Sequence, residues 1–193
     1  MINARSVVER LVPEGGARAS VLGLEQVRGA VDAMFGEDLH AQRVVSLGNG
    51  VMGVLNAAML SVHAIGQAYA GVAEITAKSG IKQIDRTLSN GGISVDQMMK
   101  RWVEFVVGAR PEIVAIIDWT DFEGDDHTTL FVALVTNHGR ATPLAWKTVK
   151  KSALAGRRTA IEQEMIAQLH EWLPADTSVT LLADRGFGDQ ALY

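Results

Sequence analysis

Two textures of apolar and polar positions divide the chain. Up to about residue 107 the apolar positions follow helical spacing. Ile81, Ile84 and Leu88 form one stripe, and Asn90-Gly91-Gly92 supplies its stop. Ser94 stands three residues before Gln97, a capping-box arrangement that predicts a helix from Val95 to about Val107. From Arg110-Pro111 the pattern shortens to strands. Ile113–Ile117 is a buried-strand run, and Thr128–Thr136 is a second strand reached through the acidic turn Glu123–Asp126. Asn137-His138-Gly139 turns the chain into a third strand, Ala141 to about Val149. Residues Arg157 to Leu173 read as a helix with Ile161, Met165, Leu169 and Trp172 on one side and Pro174 ending it. Ser178–Ala183 is the fourth strand. The predicted order is β-β-β-α-β, an α/β mixed sheet in which the crossover helix returns the fourth strand beside the first. A helical domain, residues 1–109, precedes a strand-bearing domain, residues 110–193.

The run from Val44 to Ala73 contains no charged residue in thirty positions, long enough to span a bilayer. Its content argues for something else. Asn49, Asn56, His63 and Gln67 interrupt it, glycine and alanine supply much of the rest, and Leu, Ile and Phe are few. It reads as a Gly/Ala-rich buried helix or helix pair with close backbone approach at the glycines. Within it, Gly48-Asn-Gly50-Val-Met-Gly53 matches the dinucleotide-binding glycine spacing, with Glu74 further on. That motif needs a preceding strand and a second strand bearing the acid, and neither is legible here. Helix packing accounts better for these glycines.

Composition narrows the class. With 48% hydrophobic and 21% charged residues among 193, the chain has the balance of a globular protein. It has no cysteine, which excludes disulfides and thiolate zinc sites. Arg5, Glu9, Arg10 and Glu14 in the first sixteen residues do not fit a secretory signal, so a cytoplasmic location is expected. The five histidines show no ligand spacing, and neither a nucleophile elbow nor a P-loop lysine is present.

The net charge of −4 argues against a uniformly basic nucleic-acid binder but leaves room for a basic stripe. Residues 1–110 carry 11 Lys/Arg against 10 Asp/Glu, and residues 111–193 carry 7 against 12. No acid falls between His127 and Ile161, where Arg140, Lys147, Lys150, Lys151, Arg157 and Arg158 lie. An enzyme that uses a metal on a polyanion needs such a division, with carboxylates at the metal and cations along the phosphates. A solvated basic loop is the alternative. Lys78, Lys82 and Arg86 repeat every fourth residue on one helix face. That helix and the one from Val95 resemble a helix-turn-helix pair, a common route to DNA. A small bundle whose cations face water would give the same pattern.

Asp118 follows the apolar run Ile113–Ile117, and Asp184 follows Val179–Ala183. A carboxylate at the end of a buried strand is costly unless a cation compensates it. With the first and fourth strands adjacent and parallel, both aspartates emerge at one end of the sheet. A divalent ion between them removes their repulsion, and Mg²⁺, with Mn²⁺ as substitute, suits two oxygen ligands plus water and phosphate. Taken singly, either aspartate could cap a helix or close a turn. Thr120 shares the strand face of Asp118, whereas Asp121 alternates to the other. Trp119 and Trp146 read as packing residues before base-stacking platforms, and Asp189 as a supporting acid or a helix cap.

The strings Ile117-Asp118-Trp-Thr-Asp-Phe122 and Leu182-Ala-Asp184-Arg-Gly-Phe-Gly-Asp189 resemble DDE transposases of bacterial insertion sequences, the fourth insertion-sequence family in particular. The resemblance implies an RNase H-like fold preceded by an all-α DNA-binding domain. Asp118 and Asp184 would be the first two members of the catalytic acid triad, holding Mg²⁺. It further implies cleavage at terminal inverted repeats, joining to target DNA by the freed 3′-hydroxyl through two-metal displacement, and action as a homodimer. The cations at Lys78, Lys82, Arg86, Lys147, Lys150, Lys151, Arg157 and Arg158 would contact DNA. The family's third acid is a Glu within a Tyr-Arg-Glu-Lys signature on a later helix, and no such Glu follows Asp184 here. Glu162, Glu164 and Glu171 precede it on the crossover helix. The chain is therefore expected to be catalytically incomplete alone and to leave one sheet face short of cover. Two other readings are a non-catalytic DNA-binding remnant or regulator of transposition, and an RNase H-like nuclease whose third acid comes from elsewhere.

Overall fold

The computed structural model describes residues 22–122, 124–137 and 139–187. Within that range the chain forms two compact units whose boundary falls between Met98 and Met99, inside a helix. The expected signal-free start, Met1–Gly16, and Asp189 lie outside the described residues.

The first unit is helical: α1 (Leu24–Phe35), α2 (Ala41–Asn56), α3 (Val62–Val72), α4 (Ala77–Leu88) and the start of α5 (Val95–Val107). The long uncharged run resolves into α2 and α3, parted at residues 57–61. Among the described residues no helix is long and apolar enough to cross a membrane. The polar residues of the run have structural work: buried Asn49 accepts a hydrogen bond of 2.9 Å from Arg28 Nε, and Asn56 Nδ2 donates to the Met52 carbonyl. Its glycines are contact points. A Cβ at Gly53 would stand 2.7 Å from the Ile65 carbonyl, and one at Gly48 would press on the Arg28 backbone. Because Gly48, Gly50 and Gly53 all lie within α2, the glycine spacing has no strand before it and no dinucleotide cradle.

Helix α4 takes its packing from α3 and α2. The expected pairing of residues 77–88 with 95–107 is thus replaced by α3 with α4, joined by the turn at residues 73–76. Two features make that pairing. Gly66 and Gly80 face each other so closely that a methyl at Gly80 would overlap the Gly66 carbonyl, and one at Gly66 would overlap the Ile81 backbone. Glu74 adopts φ 54°, a left-handed position that reverses the chain, and Thr76 caps α4 by accepting from Ser79 N–H at 3.2 Å.

The second unit holds the sheet: β1 (Glu112–Asp121), β2 (His127–Leu134), β3 (Thr142–Lys150), α6 (Arg158–Trp172) and β4 (Ser178–Ala183). Strand order is β3-β2-β1-β4, with β1–β2 and β2–β3 antiparallel and β1–β4 parallel. This is an α/β mixed sheet that follows a helical region in the sequence, compatible with the RNase H-like fold. One face is packed. Ile113, Ala115, Ile117, Leu130 and Val132 join Met99, Val103 and Val107 of α5 and Ile161, Met165, Leu169 and Trp172 of α6 in one core. The helix runs from Arg158 to Trp172, one residue inside each expected end. On the other face Val114, Trp146 and Leu182 are 40, 46 and 50% exposed. That face is open and mixed, with Glu112, Asp118, Thr120 and Thr180 exposed on it as well.

Candidate functional site

Parallel pairing of β1 with β4 runs in register from Glu112↔Ser178 to Ile117↔Ala183. Asp118 and Asp184 are each the next residue after that last pair, so two carboxylates leave neighbouring strands at the same end of the sheet. Strand alternation sets the face. Ile113, Ala115 and Ile117 point into the core, and Asp118 stands on the open face beside Phe131, its register partner on β2. Phe131 in turn pairs with Trp146 on β3.

Both carboxylates are exposed, and each is held from one oxygen. Asp118 Oδ1 accepts from the Trp119 N–H at 2.8 Å, and Asp184 Oδ1 accepts from the Gly186 N–H at 2.7 Å. The second bond belongs to a tight turn at Arg185–Phe187, whose last residue donates its N–H to the Asp184 carbonyl and buries its ring in the core. Phe187 thereby pins the chain just past the acid. Among the described residues, Oδ2 of each aspartate has no hydrogen-bond partner. Two adjacent carboxylates with a free oxygen apiece suit Mg²⁺, which takes one or two carboxylates and completes its shell with water and phosphate. Among the described residues no group of three His, Asp or Glu could hold a metal, so the pair has no third protein ligand.

The remaining candidates separate by position. Thr120 is exposed on the face of Asp118, whereas Asp121 Oδ2 sits 3.7 Å from Lys151 Nζ. Of the basic segment, Lys147 Nζ reaches Glu164 Oε2 at 2.7 Å, Lys151 also donates to the Phe122 carbonyl, and Arg158 Nε lies 3.4 Å from Glu162 Oε1. Lys150 and Arg157 are exposed without an ion pair among the described residues, as are Lys78, Lys82 and Arg86.

One cluster was not legible in the sequence. Glu162 is almost wholly buried, accepts from Trp119 Nε1 at 2.7 Å, and is flanked by Arg158, whose guanidinium lies 5.1 Å from the Trp119 ring centroid. Trp119 faces this cluster on the packed side of the sheet, one residue from Asp118 but on the opposite face. The cluster fastens α6 to β1 and does not face the aspartates. Only Trp119 following Asp118 on an amphipathic strand signalled it beforehand.

A further anchor lies at the β1–β2 turn. The Ser152 hydroxyl donates to Asp126 Oδ2 at 2.6 Å and the Ser152 N–H to Oδ1 at 3.1 Å. These bonds, the hydroxyl first, hold the Asp126 carboxyl below its ordinary pKa.

No protein-family model matches the chain, and no curated protein matches it.

Proposed function

We propose that this chain is the DNA-binding and front catalytic portion of a DDE transposase of a bacterial insertion sequence, cutting and joining DNA at transposon ends. The observation that carries the reading is the parallel β1–β4 register, which ends at Ile117↔Ala183 so that Asp118 and Asp184 each follow it at the same sheet end. Asp118 and Asp184 would hold Mg²⁺, and Mn²⁺ would substitute. An ion held there would supply charge neutralisation at a scissile phosphate and a lowered water pKa. The residues of this chain orient that chemistry. Trp119 N–H and Gly186 N–H fix the carboxylates, Phe187 anchors the turn, and the open face gives a nucleic acid room to approach. Of the candidate cations, Lys78, Lys82, Arg86, Lys150 and Arg157 have no ion pair among the described residues and are left to contact DNA. The resemblance expects a Glu from a later helix to complete the site, with the full-length protein acting as a dimer.

Reading the gene past codon 193 and assaying the longer product tests this. The expected result is an in-frame Tyr-Arg-Glu-Lys helix and Mg²⁺-dependent nicking of DNA carrying the element's ends, abolished by Asp118→Ala or Asp184→Ala. Nicking that survives both substitutions contradicts it. DNA binding without nicking favours the second reading, a non-catalytic regulator of transposition, for which the unpaired cations of α4 speak.

A further inference from the structure

The α4 face does more than supply positive charge. We infer that α3, the turn at residues 73–76 and α4 form a helix-turn-helix whose second helix enters the major groove of duplex DNA, with Lys82 and Gln83 reading base edges. This rests on the DNA-binding part of the reading above.

Geometry comes first. The Gly66–Gly80 contact draws the two helices together along one side of α4, where Gly80 and Ile84 are buried. The opposite side therefore has to face outward. It presents Lys78, Ser79, Lys82 and Arg86, with half-buried Gln83 at its edge and a single acid, Asp85, one turn on from Lys82. This side forms one wall of a cleft of about 370 Å³, whose lining includes Ser79, Lys82, Gln83 and Arg86, with Ser46 from α2 and Asn90 beyond the helix. No acid lines the cleft.

The side chains then divide by chemistry. Phosphates need cations, and Lys78 and Arg86 at the two ends of the face are placed to flank a groove. A neutral amide adds little against a phosphate, yet it matches the donor and acceptor pair on adenine, as a lysine matches guanine acceptors. The Gln83 carboxamide has no hydrogen-bond partner among the described residues, and neither has the Lys82 ammonium, whereas the Ser79 hydroxyl is engaged with Thr76 at 2.8 Å. Lys82 and Gln83 both line the cleft and stand along the helix between the two flanking cations, which places them over the base edges. A helix fits the wide major groove of B-DNA and not the narrow one of A-form RNA, which selects duplex DNA as the partner.

Selection of the whole chain against a random-sequence DNA duplex library, followed by sequencing, tests this. The expected outcome is an enriched motif. Gln83→Ala and Lys82→Ala should each relax a base position by roughly tenfold, while Lys78→Ala and Arg86→Ala weaken binding to all sequences alike. Gln83→Glu, which keeps the size and helix preference of the side chain, should lose the same position as Gln83→Ala. Thermal melts matching the parent exclude misfolding as the cause. Binding with no enriched motif, a motif untouched by the Lys82 and Gln83 substitutions, or no duplex binding would each overturn the inference. Metal binding at Asp118 and Asp184, measured separately, reports on the catalytic reading whichever way the selection falls.

Discussion

Lys82 on α4 and Lys147 on β3 belong to segments with a similar excess of cations, and the fold uses them differently. Lys82, like Lys78 and Arg86, has no ion pair among the described residues and stands on an outward helix face within the first unit. Lys147 crosses to Glu164 on α6, Arg158 closes on Glu162, and Lys151 is held by Asp121 and the Phe122 carbonyl. The acids that follow residue 161 in sequence return, through α6, onto the cations that precede it. Separation of charge along a chain is thus not separation in space. An intact cationic face is better evidence for a polyanion partner than a cationic stretch of sequence.

The largest effect should come from breaking what orients the first face. Gly80→Val drives a branched side chain into the Gly66 carbonyl and should cost about 3 kcal/mol, seen as an earlier melt of the helical unit with loss of duplex binding. Next is the cluster beneath the sheet. Trp119→Phe removes a donor from buried Glu162 and should destabilise the second unit by about 1–3 kcal/mol in denaturant, leaving duplex affinity within twofold. The two cation sets are then set directly against each other. Arg86→Ala should lower duplex affinity and reduce the slope of log affinity against log salt by about one. Lys147→Ala should leave that slope unchanged and shift stability by less than about 1 kcal/mol, as befits an exposed pair. Equal salt-slope changes from both would break the comparison.

The smallest effect concerns acid. The Asp126 pKa is lowered by the Ser152 bonds, so its contribution to stability is present above the unfolded carboxylate pKa and is lost as pH falls through the folded one. Ser152→Ala removes the leading cause. The Asp126 pKa should rise toward its ordinary value in a carboxyl-detected NMR titration, with the β1–β2 turn loosening at higher pH than in the parent.

The sheet was legible because each strand is an apolar run closed by turn residues, and β4 falls at Ser178–Ala183 as expected. The aspartate pair was legible for the same reason, since an acid ending a buried run is conspicuous and the crossover fixes which strands adjoin. The helix pairing was not. A glycine inside a helix lowers local helix preference, and nothing near Gly66 or Gly80 says that each exists to admit the other. Nor could the sequence reveal that Lys147 and Arg158 are engaged, because their partners arrive only when α6 packs. Val114, Trp146 and Leu182 are exposed on the face opposite the core, as strand alternation dictates.

Asp118 and Asp184 are proposed to act together on one divalent ion. Paramagnetic broadening of backbone amides by Mn²⁺, titrated into the whole chain, tests it most directly. Selective broadening is expected at residues 118–119 and 184–187, lost in both Asp118→Asn and Asp184→Asn. Broadening that follows the exposed acids generally, or that survives either substitution, would contradict it.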